Sequence, residues 1–78
     1  MEKGDIFFIL VSYILEAKQE LLPKDIKSNM SFKDIGLNRD EIIDAGKEMF
    51  AIDFQKRIEQ TIVTIDDLVN VIYRYQNI

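Results

Sequence analysis

The 78-residue sequence contains no cysteine, no histidine and no tryptophan, and it has only one proline and three glycines. Without cysteine the chain has no disulfide and no thiolate nucleophile. Without histidine it lacks the commonest metal ligand and the side chain that most often transfers protons near neutral pH. We therefore predict that the protein is not an enzyme and that it has no resident metal site.

The charge balance is acidic, with 10 lysines and arginines against 14 aspartates and glutamates, which is a formal net charge of −4. Nucleic-acid binding depends on clusters of basic side chains that displace counterions from phosphates, and the sequence has no such cluster. We expect no nucleic-acid partner. A protein partner with a basic surface suits this charge better.

Apolar residues make up 47% of the chain, which is enough for one small core. The main apolar run, residues 6–15, has about half the length that a membrane-spanning helix requires. Its flanks differ from those of a secretion signal, because Glu2 and Asp5 outweigh Lys3 before the run and no small-residue cleavage site follows it. These features predict a single domain over residues 1–78, located in the cytoplasm and without a membrane partner.

Hydrophobic periodicity and capping residues predict an all-α fold with three substantial helices and one short helix. Asp5 is expected to cap the first helix, and Pro23 to end it. Residues 23–38 are expected to form an ordered loop in which Phe32 and Ile35 are apolar anchors. The predicted helices are residues 6–22, residues 39–50, a short helix around residues 55–60, and a last helix that follows the capping box of Thr64 and Asp67.

Three segments of the sequence match one known pattern in order and spacing. Residues 31–37, Ser-Phe-Lys-Asp-Ile-Gly-Leu, are similar to the loop that precedes the prosthetic-group site of carrier proteins. Residues 48–54 are similar to the glutamate-rich stretch that ends in phenylalanine, and residues 64–72 to the start of the last helix. Together they resemble the acyl carrier protein family over roughly residues 26–75. The resemblance implies a small four-helix bundle of acyl-carrier-protein type, with three main helices and a short third helix.

The sequence departs from this family where the cofactor would be attached. Carrier proteins have Asp-Ser-Leu at the start of the second helix, and the serine hydroxyl carries phosphopantetheine. Here the corresponding residues are Asn38, Arg39 and Asp40, and alignment from Phe50 places Gly36 at the serine position instead. Neither Arg39 nor Gly36 can accept a phosphoryl group, so we expect no phosphopantetheine. The alternative is a functional carrier with a shifted modification site on another serine.

Acidic residues of the second helix form a candidate docking site. Glu41, Asp44 and Glu48 are spaced i, i+3 and i+7, so their carboxylates share one helix face. In the carrier family this face docks onto basic patches of partner enzymes. We include Arg39 in this candidate docking site, because the resemblance implies that it places a positive charge where carrier proteins have the modified serine. The implied partner is a basic protein, such as a biosynthetic enzyme of fatty-acid, polyketide or peptide assembly. The alternative explanation is an ordinary solvent-facing set of charges.

The first helix carries a second candidate surface. Within residues 6–15 only Ser12 is polar, so apolar side chains point in every direction, whereas a surface helix normally has a polar face. We predict an exposed patch that a homodimer or a partner protein covers. The alternative is that these side chains pack on the loop and the short helix of the same chain. The patch comprises Phe7, Phe8, Val11 and Leu15.

The sequence therefore predicts a protein that resembles an acyl carrier protein, lacks the phosphopantetheine serine, and acts as a noncatalytic binding or accessory partner. Two other interpretations fit the composition. A small acidic helical inhibitor or immunity-type protein would neutralise a basic effector, and a dimerisation module would use the first helix alone.

Overall fold

The computed structural model describes residues 1–77, which contain helices and no β-strand. The helices in chain order are α1 (Lys3–Ala17), α2 (Phe32–Ile35), α3 (Arg39–Met49), α4 (Lys56–Glu59) and α5 (Ile65–Gln76), and a 3-10 turn spans Pro23–Asp25. The all-α prediction is confirmed, and α3, α4 and α5 lie close to their predicted ranges. Within residues 1–77, no helix has the length and apolar character needed to cross a membrane.

The first helix begins and ends earlier than predicted. It spans Lys3–Ala17 rather than residues 6–22. Asp5 is therefore not its cap and lies in the first turn, where a negative charge interacts favourably with the positive end of the helix dipole. After α1 the chain turns so that Leu21 packs against the core, and Pro23 begins a separate 3-10 turn. The prediction that the proline ends α1 was wrong, because the turn that returns Leu21 to the core comes first.

Part of the predicted loop forms the additional short helix α2. The Ser31 hydroxyl accepts a hydrogen bond from the Asp34 N–H, and the Asp34 carboxylate accepts one from the Ser31 N–H. Gly36 ends the helix with φ of 78°, a left-handed conformation that glycine adopts without strain. The two predicted anchors, Phe32 and Ile35, are both buried.

A single apolar core connects the helices. Helix α5 packs against both α1 and α3. Gly46 permits a close approach of α3 to α5, because a Cβ at that position would lie 3.4 Å from Cδ1 of Ile72. The side chains with almost no exposed surface are Ile6, Leu10 and Ile14 of α1, Ile43 of α3, Ile65, Leu68 and Ile72 of α5, and the loop and α2 residues Ile62 and Phe32.

The segments that precede α2 and α5 pair with each other. Ser31 and Thr64 form an isolated antiparallel bridge, and the Phe32 N–H donates a hydrogen bond to the Val63 carbonyl at 3.3 Å. Thr64 also caps α5 in the predicted capping box with Asp67. This pairing holds the start of α5 next to α2 and brings Val63 close to the start of α3.

Candidate functional site

The acidic side of α3 faces solvent. Glu41, Asp44 and Glu48 are all exposed, whereas the buried residues of the same helix lie on its other side. Within residues 1–77, none of these three carboxylates forms an ion pair. The two cations of α3, Arg39 and Lys47, contact other groups. The structure therefore places three unpaired negative charges on one exposed face.

Arg39 connects the start of α3 to the end of α4. Its Nε donates a hydrogen bond of 2.6 Å to the Ile62 carbonyl, and its Nη2 donates one to the Glu59 carbonyl. Its Nη1 lies 3.1 Å from Oδ1 of Asp40. The Arg39 side chain thus helps to hold α4 in place. Sequence analysis assigned Arg39 to partner docking and missed this contact, since the carbonyl groups lie at least 20 residues away along the chain.

Lys47 makes a second connection to α4. Its Nζ lies 3.3 Å from Oε1 of Glu59, 3.4 Å from Oδ1 of Asp53, and 4.9 Å from the centre of the Phe54 ring. Burial by itself would lower the pKa of the Lys47 ammonium, but the carboxylates of Glu59 and Asp53 outweigh burial and raise that pKa above its ordinary value. The ammonium therefore stays charged at neutral pH and links α3 to α4 and to the preceding loop.

An open pocket of about 420 Å³ lies beside the start of α3. Its apolar lining comes from Phe32, Leu37 and Val63, and the polar lining comes from Ser31, Lys33, Gly36 and Arg39. Val63 is 56% exposed. The pocket borders the first turn of α3 through Arg39, and Glu41 of the acidic face lies in the same turn. Sequence analysis did not predict it, since it depends on the pairing of two loops.

The remaining serines occupy three different environments. The Ser12 hydroxyl donates a hydrogen bond of 2.9 Å to the Phe8 carbonyl within α1, and the Ser31 hydroxyl caps α2. Ser28 is exposed in the loop that precedes α2. A shifted modification site would therefore use Ser28, or it would break an existing hydrogen bond of Ser12 or Ser31.

The predicted patch on α1 is exposed mainly at one residue. Phe8 is 70% exposed, whereas Phe7, Val11 and Leu15 are half-buried and pack against the core. Gly4 lies on the same side of α1, and the space around it is open, with no atom within 4 Å of a Cβ built there. The structure thus places Phe8 at the centre of a mixed surface and does not leave the other three predicted residues fully exposed.

No family model, no curated protein and no solved structure matches this chain. Within the described part of the chain, residues 1–77, no group of three or more acidic side chains is arranged to hold a metal ion. The arguments for function therefore depend on the geometry and the charges described above.

Proposed function

We propose that this protein resembles an acyl carrier protein in shape, carries no phosphopantetheine, and binds a basic protein partner through the acidic face of α3. The observation that carries the proposal is the set of exposed carboxylates of Glu41, Asp44 and Glu48, which form no ion pair within residues 1–77. A partner of opposite charge would bind this face faster and more selectively than a neutral one. The order of a long helix, α3, a short helix and α5 supports the carrier-type bundle, with α2 as an addition.

The pocket beside α3 supplies the apolar part of the proposed interface. Protein interfaces commonly combine a buried apolar contact with a charged rim. A partner could place an apolar side chain against Leu37 and Val63, while its lysines or arginines pair with the nearby carboxylates. The partner segment that fits best is therefore a basic amphipathic helix, which presents both kinds of side chain on neighbouring faces.

A synthetic amphipathic helix rich in lysine and leucine provides a defined probe for this site. In an NMR titration, we expect the amide signals of residues 37–48 and 63 to shift. The triple variant Glu41→Lys, Asp44→Lys, Glu48→Lys should bind the peptide about tenfold or more weakly, since it replaces attraction by repulsion. The matched control reverses the charges of Asp5, Glu16 and Glu20, which are exposed in or near α1. Equal loss of binding in both variants would contradict a specific docking face.

The absence of phosphopantetheine has its own test. The protein is incubated with coenzyme A and a phosphopantetheinyl transferase of broad specificity, and its intact mass is measured. We expect no change in mass, because the resemblance aligns either Arg39 or Gly36 with the modified serine and neither residue can accept a phosphoryl group. A mass increase that disappears in Ser28→Ala or Ser31→Ala would instead establish the shifted modification site.

The exposure of Phe8 favours a homodimer through α1 as a second candidate. One line of residues along α1 is spaced alternately by four and three positions, as in the contact line of a two-stranded coiled coil. These residues are Gly4 and Phe8, which are exposed, and Val11 and Leu15, which are half-buried. Sedimentation at increasing concentration should show a dimer that Phe8→Ser abolishes, while the control Val63→Ser keeps it. A monomer at all concentrations would exclude this candidate.

The identity of the bound protein distinguishes an inhibitor or immunity-type protein from the accessory protein proposed above. An inhibitor or immunity-type protein would form a tight complex with one basic toxin or nuclease, whereas an accessory protein would bind biosynthetic enzymes. Isolation of complexes with purified candidate proteins of each class distinguishes the two. Exclusive binding of a basic effector would favour the inhibitor.

A further inference from the structure

A second pocket, of about 620 Å³, lies between the start of α1 and the outer side of α5. Its lining consists of Lys3, Asn70, Tyr73, Arg74 and Asn77. Small-molecule sites in proteins commonly have volumes of this order. No residue of α3 lines this pocket.

The charge of this pocket is opposite to that of the whole chain. The protein has a net charge of −4, yet the lining includes two cations and no carboxylate. Within residues 1–77, neither Lys3 nor Arg74 forms an ion pair, as is true of most basic residues of the chain. Two unpaired cations in one concave surface give a local potential that attracts anions.

The orientation of the polar groups adds to this potential. The Nζ of Lys3 lies 5.2 Å from the centre of the Tyr73 ring, so the ring fixes the ammonium at the pocket wall. Asn70 is half-buried in the same wall and supplies an amide donor. The side chain of Asn77 is held by a hydrogen bond of 2.7 Å to the Tyr73 carbonyl. The pocket therefore combines the planar guanidinium of Arg74, the compact ammonium of Lys3 and the side-chain amide of Asn70.

We infer that this pocket binds a small molecule that carries an oxyanion, either a phosphate monoester or a dicarboxylate, between Lys3 and Arg74. The guanidinium of Arg74 has the geometry for two parallel hydrogen bonds to such an oxyanion, and the ammonium of Lys3 adds a second positive charge. The amide of Asn70 donates to a remaining oxygen, and the exposed edge of the Tyr73 ring contacts the organic part. The neighbouring groove shares Lys3 and differs in containing a carboxylate, Asp66, together with Lys27.

This site is independent of the proposed docking function, since no residue of the acidic face takes part in it. The probes are glycerol 3-phosphate, a phosphate monoester, and succinate, a dicarboxylate, added separately to the full chain at low ionic strength and followed by two-dimensional NMR. We expect saturable shifts of the backbone amides of Lys3 and Arg74 and of the Asn70 side-chain amide with at least one probe. Preference for one probe identifies phosphate or carboxylate as the recognised group.

Charge-neutral variants test whether the site is specific. The double variant Lys3→Gln, Arg74→Gln should bind about tenfold more weakly than the original protein, because both charged hydrogen bonds are lost. The matched control, Lys24→Gln with Lys56→Gln, removes the same charge from exposed positions in the 3-10 turn and α4 and should keep the affinity within about twofold. Equal weakening in both variants, shifts spread over all basic residues, or no saturation by millimolar probe would overturn the inference. Circular dichroism confirms that both variants are folded.

Discussion

The contact between α1 and α5 differs in kind from the contact between α3 and α4. Helix α1 contributes three fully buried aliphatic side chains, Ile6, Leu10 and Ile14, and α5 presents an equally apolar face to them. Helix α4 has no fully buried residue, and its apolar contact with the core is the half-buried Ile58. The ammonium of Lys47 and the guanidinium of Arg39 add polar contacts that fix its position.

The difference shows how a short helix that has no fully buried side chain can still have a fixed position. A helix of one turn is not stable by itself, because its nucleation cost exceeds the few hydrogen bonds that it forms. Burial of apolar area stabilises the packing of α1, but this interaction does not depend on the angle between the contacting groups. Hydrogen bonds do depend on that angle, so they help to hold α4 in one orientation. The stability contributed by the apolar α1–α5 contact should not depend on salt. The contribution of the polar α3–α4 contacts should be confined to the α4 region and should decrease in part as salt is added.

The largest effect is expected in the apolar contact. Leu10→Ala should lower the free energy of unfolding by about 2–5 kcal/mol, since it leaves a cavity at a side chain that is 1% exposed. Urea denaturation at low and high salt should give the same loss. The control Leu22→Ala, at an exposed position, should change stability by less than about 0.5 kcal/mol. Equal losses at both positions would contradict the described core.

The next effect is expected at the polar contact. Arg39→Ala leaves the Ile62 carbonyl without a donor, while the Glu59 carbonyl keeps the Ile62 N–H, and should cost about 1–3 kcal/mol. Hydrogen exchange should show the loss of protection mainly in residues 56–62. The control Arg57→Ala, on the exposed side of α4, should have little effect. Uniform loss of protection through the whole chain would show that the α4 region does not unfold separately from the rest of the protein.

The start of α5 gives a pH-dependent contribution. Burial alone would raise the pKa of the Asp67 carboxyl, but hydrogen bonds from the backbone N–H groups of Val63 and Thr64 and with the Thr64 side chain hold that pKa below its ordinary value of 3.8. A lowered pKa in the folded state stabilises the fold above the unfolded value, and this contribution is lost as the pH falls through the folded value. Asp67→Asn should therefore cost about 1 kcal/mol near neutral pH. The difference from the original protein should shrink below pH 3.8, and urea denaturation at several pH values measures it.

A smaller and salt-sensitive effect is expected from the ion pairs of α4. Lys47→Met keeps the aliphatic contact with Phe54 and removes the charge that faces Glu59 and Asp53. We expect a loss of about 1 kcal/mol or less at low salt, because one of the two carboxylates is well exposed. The loss should decrease near about 1 M salt, where screening is strong. A loss independent of salt would indicate that packing, not charge, holds α4.

The smallest effect is a gain in stability at the end of α3. Ala51 has φ of 53°, a left-handed conformation in which a side chain is strained. Ala51→Gly should therefore raise the free energy of unfolding by about 0.5 kcal/mol, as the relief of strain exceeds the added flexibility of the unfolded chain. The control Ala45→Gly, within α3, should lower it by about 1 kcal/mol. Thermal denaturation measures both changes.

The local features of this fold were predictable from the sequence. The range of α3, the short α4 and the capping box of α5 follow from residues close to one another in the chain, such as Thr64 and Asp67. The buried anchors Phe32 and Ile35 were identified in the same way. The exposure of the carboxylates on α3 follows from the period of the helix.

The contacts between distant segments were not predictable. The sequence determined an all-α chain with a small apolar core and an acidic helix face, because helical period, caps and charge are properties of short stretches. The tertiary structure decided that α1 ends at Ala17, that Arg39 binds carbonyls of the α4 region, and that Lys3 and Arg74 line the same pocket. These outcomes depend on which segments meet when apolar side chains are buried, and no local pattern encodes such a meeting.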